Sequence, residues 1–355
     1  MTVEQWVDAR TPTRIVHLDA AGAGRPSRDV LDAEMAHLHR EAACGAYVAA
    51  ELAEELITAG REALGTLVGL TGGDLCFLDG AGTAFATLLA AWPLGRGARV
   101  GTVPSEYGAN ARALRRLADA GGWELVVLPV DDDGRITGVP AGLDLLTFPQ
   151  VASQRGTAQP VADVLAAGVP LLLDVAQSLG QTAVPAGCAA YVGTSRKWLC
   201  GPRGVGFAVV APQLQESLTE PPTLAPANGT GMRRWEAQEA HVAGRVGLAV
   251  AAQEWEPGVL PVLQARAATA RRVLDGVAGW RVREPVDEPT GITTLVGGDP
   301  LATRAGLLED GFLTSAVPVS RSDDLSAPVL RVSTAAWVDD RELAALAAAL
   351  RGRTK

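Results

Sequence analysis

The chain has 355 residues, 48% of them hydrophobic and 20% charged, with 31 Lys plus Arg against 40 Asp plus Glu. This globular composition excludes a disordered chain, and the acidic balance argues against nucleic acid or an anionic membrane surface as a partner. Cys44, Cys76, Cys188 and Cys200 stand far apart with no Cys-x-x-Cys pair, and the four histidines are scattered, so no disulfide framework and no metal site is expected.

The first residues, MTVEQWVDARTPTR, lack the apolar core of a signal peptide, and the longest apolar runs, near 85–94 and 169–173, fall short of the ~20 residues of a membrane helix. A soluble protein of a reducing cytoplasm is expected. In chain order, apolar residues at three- and four-residue spacing predict helix over 28–70, punctuated by Gly60 and Gly69. Short apolar strands then alternate with helices. Strands are predicted at 75–78, 99–103, 123–129, 143–148, 170–174, 189–193 and 205–210, and helices at 84–92, 109–120 and 161–167. That alternation predicts an α/β fold, a mainly parallel sheet with helices on both faces. The stretch 212–234, rich in Pro, Gly, Thr and Asn, reads as a loop. Beyond it, helices at 240–254, 261–277 and 339–351 and strands at 293–296, 312–317 and 329–334 predict a smaller α+β unit. The expected division is a large unit over 20–240 and a small one made of 1–19 and 241–355, the two termini lying close together.

Only two of the 31 basic residues are lysines, Lys197 and the last residue, Lys355. Arginine replaces lysine on a surface but not as an amine nucleophile, because guanidinium keeps its proton. Ligands of open α/β sheets bind beyond the carboxyl ends of the strands. The polar residues there are Gly82-Thr83, Glu106-Tyr107, Ser153 to Arg155, Asp174 with Gln177, and Thr194 to Lys197. Lys197 reads as an amine for a carbonyl cofactor, against a plain surface lysine. Asp174 ends the run Leu171-Leu172-Leu173 and suits a pyridinium nitrogen, against a helix cap. The Gly80-Ala81-Gly82-Thr83 turn suits a phosphate at a helix N-terminus, though such turns are common without one. Tyr107 suits stacking on a ring or donation of a proton, against packing at a helix start. Arg331, ending Val329-Leu330-Arg331, reads equally as a grip on a substrate carboxylate or as an ordinary ion pair.

From HLDAAGAG (17–24) to LRVSTAAWVDD (330–340) the sequence resembles the class V aminotransferase and cysteine desulfurase family of pyridoxal 5'-phosphate enzymes, fold type I. LLLDVAQSLG and GTSRKWLCGPRGVG carry most of the resemblance: an Asp-x-x-Gln strand end, then a lysine followed by Gly-Pro-x-Gly-x-Gly. The resemblance implies that Lys197 is the Schiff-base lysine, Asp174 the pyridinium partner and Gln177 the partner of the cofactor's phenolic oxygen. It places the phosphate on Gly82, Thr83 and Thr194, with Arg196 adding charge, and the substrate carboxylate on Arg331. It also implies a homodimer with the site at the subunit interface.

Three departures narrow the chemistry. Desulfurases carry Glu-His-His where this chain has Glu106-Tyr107-Gly108, so Tyr107 replaces the stacking histidine. They carry Arg-Phe-Glu-x-Gly-Thr, the threonine reaching the other subunit's phosphate, where this chain reads Arg234-Trp235-Glu236-Ala237-Gln238-Glu239. They need a mobile cysteine in the loop where Ser315 stands, and no cysteine follows Cys200. Serine carries no persulfide. With Tyr107 over the ring and Ser153 to Thr157 at the cofactor edge, the sequence resembles the carbon–sulfur lyases of ergothioneine biosynthesis within this family. That implies β-elimination at a cysteine sulfoxide, with Lys197 as base, Tyr107 as acid, and Ser153 and Arg155 near the substrate, Arg155 facing the leaving fragment's carboxylate. A class V transaminase or an isopenicillin-epimerase-like racemase would use the same cofactor residues, and a catalytically silent scaffold would have no use for Lys197.

Overall fold

The structure, a computed structural model, describes residues 1–220 and 230–353. Residues 221–229 of the expected 212–234 loop, and Lys355, lie outside the described residues. A seven-stranded sheet runs in the order Leu75–Leu78, Gly206–Val210, Ala190–Thr194, Leu171–Asp174, Leu145–Pro149, Arg99–Thr102, Glu124–Val127. All strands are parallel except Gly206–Val210, which is antiparallel to both neighbours. The central strands are buried throughout because both faces are covered, which is why they read as apolar runs without alternation.

Alternate residues of these strands feed two different cores. Leu171, Leu173, Phe148 and Phe207 face Ile57 and Leu64 of the Ala46–Thr66 helix. Leu172, Leu145 and Ala208 face Phe85 and Leu88 of the Ala81–Ala91 helix and Leu114 of Gly108–Gly121. The period of two thus sets which helix each side chain meets. Val246, Leu248 and Ala252 of the Val242–Glu254 helix join the first of these cores, so this helix packs with the large sheet although the sequence reading grouped it with the smaller unit.

The second sheet is antiparallel, in the order Ser315–Val317, Val329–Ser333, Ile292–Val296, Arg281–Val282. Its core includes Ala270 and Leu274 of the Val259–Leu274 helix, and Leu343 and Leu346 of Asp340–Gly352. The N-terminal segment joins it: Val16–His17 pairs in parallel with Phe312–Leu313, Leu18 is fully buried in the same core, and Asp19 bridges to Ser333.

Several elements differ from expectation. The 28–70 helix is two helices, Arg28–Cys44 and Ala46–Thr66, broken at Gly45 with φ +88°. The phosphate-turn helix begins at Ala81 rather than 84, so the turn itself is the first helical turn. The 312–317 strand is interrupted at Thr314. Three α-helices among the described residues differ from expectation by their presence: Val3–Asp8, Pro212–Gln215 within the expected loop, and Pro300–Glu309; the first and last are marked mainly by their caps, Thr2 with Gln5 and Asp299.

Candidate active site

The carboxyl ends of the parallel strands open on a cavity of about 550 Å³. Gly82, Thr83, Tyr107, Ser153, Asp174, Gln177, Thr194, Arg196, Lys197 and Arg331 all line it; of the residues given a cofactor or substrate role from sequence, Arg155 does not, and Glu106 lies behind the wall.

Lys197 follows the Ala190–Thr194 strand on a turn closed by Gly201 N–H to Ser195 O (3.0 Å) and Cys200 N–H to Lys197 O (3.1 Å). Cys200 takes the left-handed conformation, φ +59°. Gly24 donates its N–H to Arg196 O at 2.7 Å, and a Cβ there would sit 2.3 Å from Lys197 O. Of the glycines of HLDAAGAG, Gly24 is therefore the one packed against the lysine turn, while Gly22 turns on Asp19. Burial holds the Lys197 amine down to about 7; Asp174 opposes this, while Arg196, Arg331 and Arg321 add to it.

Asp174 is buried, with Oδ1 accepting from Ala176 N–H (2.8 Å) and Oδ2 from Asn110 Nδ2 (2.9 Å). Burial raises its carboxyl above the ordinary range, and Lys197 and these hydrogen bonds pull against that. Asn110 Nδ2 also donates to Glu106 Oε1 at 3.3 Å, so one amide joins two carboxyl groups. Glu106 also accepts from Tyr107 N–H (2.7 Å), and burial, then the nearby Asp174, push its carboxyl up to about 8. Gln177 Oε1 accepts from Trp198 Nε1 (2.9 Å), and Nε2 donates one hydrogen to Ala21 O (3.0 Å), which leaves the second amide hydrogen.

The Ala81–Ala91 helix has no side-chain cap at its N-terminus, so its first amides face the cavity. A Cβ on Gly80 would meet nothing within 4 Å, and one on Gly82 would meet only Asn110 Oδ1, at 3.9 Å. The cradle is open because both are glycine. Gly206 on the neighbouring strand lets this turn come close, since a Cβ there would stand 2.4 Å from Gly80 C.

Arg331 is buried and lies on the cavity wall with Nη1 on Ser153 O (2.9 Å) and Nη2 on Asp19 Oδ1 (3.0 Å) and Ser315 Oγ (3.4 Å). The ion pair left open by the sequence is therefore present, and Nε is buried without a partner among the described residues. Ser315 lines the cavity beside it. Arg155 turns away: Nη1 donates to Asp132 O (2.8 Å) and Nε lies 3.5 Å from Asp324 Oδ2, tying two loops together outside the cavity. The Arg234-Trp235-Glu236 segment is likewise an anchor. Glu236 takes both terminal nitrogens of Arg61, Arg245 Nη1 (2.8 Å) and Phe77 N–H (3.0 Å).

Among the lining residues given no role by the sequence are Asn110, Arg203 and Arg321. Asn110, in the first turn of the Gly108–Gly121 helix, reaches back to Glu106, which lies just before the helix cap. Arg203 lies inside the Gly-Pro-x-Gly motif at its variable position. Arg321 lies on a turn of the smaller unit, Val319–Arg321, with no local signal.

These groups fit pyridoxal phosphate: an amine titrating near neutrality, a buried carboxyl for a ring nitrogen, and an open glycine cradle at a bare helix N-terminus for a phosphate. The family model for class-V aminotransferases matches residues 16–252, and the chain belongs to that family. It is 39% identical to a protein of Mycobacterium tuberculosis (strain CDC 1551 / Oshkosh) named "Probable hercynylcysteine sulfoxide lyase", over 93% of this chain and 88% of the relative. A cysteine desulfurase of Dickeya dadantii (strain 3937) is 29% identical over 67% of this chain and 65% of the relative. Among solved structures, the apo cysteine desulfurase of Thermococcus onnurineus NA1 superposes with TM-score 0.85 at 16% identity, over 99% of this chain and 98% of that one. The cystine C–S lyase C-DES in complex with its product cysteine persulfide gives TM-score 0.85 at 18% identity, over 96% and 98%. The fold is that of the fold-type-I enzymes.

Proposed function

We propose that the protein is a pyridoxal 5'-phosphate-dependent carbon–sulfur lyase that cleaves hercynylcysteine sulfoxide by β-elimination, as a step of ergothioneine biosynthesis. The observation that carries the reading is Ser315. It stands beside Arg331 in a cavity that otherwise has the lysine, carboxylate and phosphate cradle of the family, and no cysteine lines that cavity among the described residues. A persulfide relay therefore has no thiol to start from, and elimination needs none.

When bound, the cofactor supplies an electron sink for the charge left at Cα. In this reading Lys197 Nζ removes the Cα proton, for which a pKa of about 7 suits it. Asp174 shares a proton with the ring nitrogen, oriented by Asn110 and Ala176. The helix amides at Gly82 and Thr83, with Thr194, Arg196 and Arg203, hold the phosphate, and the free hydrogen of Gln177 Nε2 meets the phenolic oxygen. Arg331 orients the substrate carboxylate, with Ser153 at the cofactor edge. Tyr107, on the cavity wall, would stack on the ring and protonate the departing sulfur–oxygen group. Overall, the sulfoxide and one water give the sulfenic acid of the leaving fragment, pyruvate and ammonium. We further infer a homodimer with the site at the interface and a cytoplasmic location; no helix among the described residues is long and apolar enough to cross a membrane.

Product analysis tests this. The holoenzyme is offered hercynylcysteine sulfoxide and, separately, L-cysteine. Pyruvate from the sulfoxide, with little from cysteine, is expected. Alanine from cysteine would mean desulfuration and would overturn the argument from Ser315.

A further inference from the structure

Five cationic side chains line the cavity, Lys197, Arg196, Arg203, Arg321 and Arg331, against two carboxylates, Asp79 and Asp174. Of the arginines, Arg331 is paired, with Asp19. Arg196, Arg203 and Arg321 have no carboxylate within 4.0 Å among the described residues. Arg196 and Arg203 flank the lysine turn, on the same segment as Thr194. Arg321 approaches from the other unit, on the short turn between the Ser315–Val317 and Val329–Ser333 strands, with its guanidinium carbon 5.4 Å from the centre of the Tyr107 ring.

That turn is clasped. A Cβ on Gly108 would stand 2.6 Å from Ser320 O and 3.0 Å from Arg321 O, so only glycine lets the turn seat on the start of the Gly108–Gly121 helix. Ser322 Oγ donates to Pro104 O (3.0 Å). Gln154 Nε2 joins Asp324 Oδ1 to Ser105 O, each at 3.0 Å, and Arg115 pairs with Asp323. The backbone of the turn is thus held at the cavity wall, which sets the guanidinium beside the ring assigned to the departing group, with no hydrogen bond or ion pair among the described residues taking up its forked donors. A preorganised, unpaired arginine over an aromatic face is half of a carboxylate site.

We propose that Arg321 binds a second carboxylate of the substrate, carried by the sulfur-linked fragment, and so selects cysteine sulfoxides whose leaving group bears a carboxylate of its own. This rests on the lyase reading, and it transfers to Arg321 the role that Arg155, held outside the cavity, does not fill.

The test is a specificity ratio. Holoenzyme and its Arg321→Gln and Arg321→Lys variants are assayed for pyruvate from hercynylcysteine sulfoxide and from S-methyl-L-cysteine sulfoxide, which lacks the second carboxylate. Losing one charge-assisted contact should lower the ratio of kcat/KM values about 10- to 100-fold in R321Q, chiefly through KM, with partial recovery in R321K. The cofactor's visible absorbance, read alongside, is expected to persist. An unchanged ratio, or a wild-type preference for the S-methyl compound, overturns the assignment and leaves the lyase reading standing. Loss of the cofactor's absorbance in R321Q would give the guanidinium to the phosphate and also overturns it. No pyruvate from either sulfoxide in the wild type overturns the lyase reading and this assignment together.

Discussion

Around Glu236, Arg61 and Arg245 converge on one carboxylate under the sheet edge, and the Phe77 N–H completes its hydrogen bonds. Around Lys197, Arg196, Arg203 and Arg321 share a cavity with two carboxylates and are paired with neither. Both places gather arginines, but the first is buried and closed, while the second is open, with Arg196 and Arg321 half-buried and Arg203 exposed. A buried guanidinium whose partners come from its own chain holds structure together. One that lacks them, in a space large enough for a small molecule, is left for a ligand. The same contrast separates Arg155, which joins Asp132 to Asp324, from Arg321 across the Tyr107 ring.

The largest expected effect breaks the closed side. Glu236→Ala leaves two buried guanidiniums without their carboxylate and should cost about 3–5 kcal/mol of stability, read from urea unfolding of the holoenzyme. A loss under about 1 kcal/mol would mean that the cluster is hydrated and not closed. On the open side, Tyr107→Phe removes the hydroxyl proposed as proton donor but keeps the ring. It should lower kcat about 100-fold while the cofactor's absorbance remains, and unchanged turnover would reduce Tyr107 to a stacking surface.

The smallest effect is a pH dependence. Only the neutral amine attacks an aldehyde, and the Lys197 amine is held down to about 7. Cofactor capture by apoprotein, followed by absorbance, should therefore be flat above about pH 7 and fall about tenfold per unit below it. A rate still climbing toward pH 10 would show that burial does not depress this amine.

Much of this was legible in advance because it is local. The buried strand Leu171–Asp174 announces itself by three leucines and an abrupt carboxylate, and the lone internal lysine stands out against 29 arginines. The Gly80 to Thr83 segment lies at the cavity, but it is helical from Ala81 and not a turn, a start that went unread because glycine and alanine give no apolar periodicity. Arg155 failed for a different reason. Following a strand fixes only which end of the sheet a residue occupies, and the partners that turn Arg155 away, Asp132 and Asp324, lie 23 residues before it and 169 after it in the chain.

The sequence by itself determined the alternation of short strands and helices, the glycine turns, and the amine and carboxylate at neighbouring strand ends. Those follow from spacing, backbone sterics and the chemistry of single side chains. Only the tertiary structure decided which arginines are spent and which are free, that Asn110 links Glu106 to Asp174, and that Gly24 and Gly108 each seat a distant turn. The physical reason is desolvation. The partner of a buried charge, and the room around it, are set by segments far apart in the chain that meet only when the two sheets are assembled.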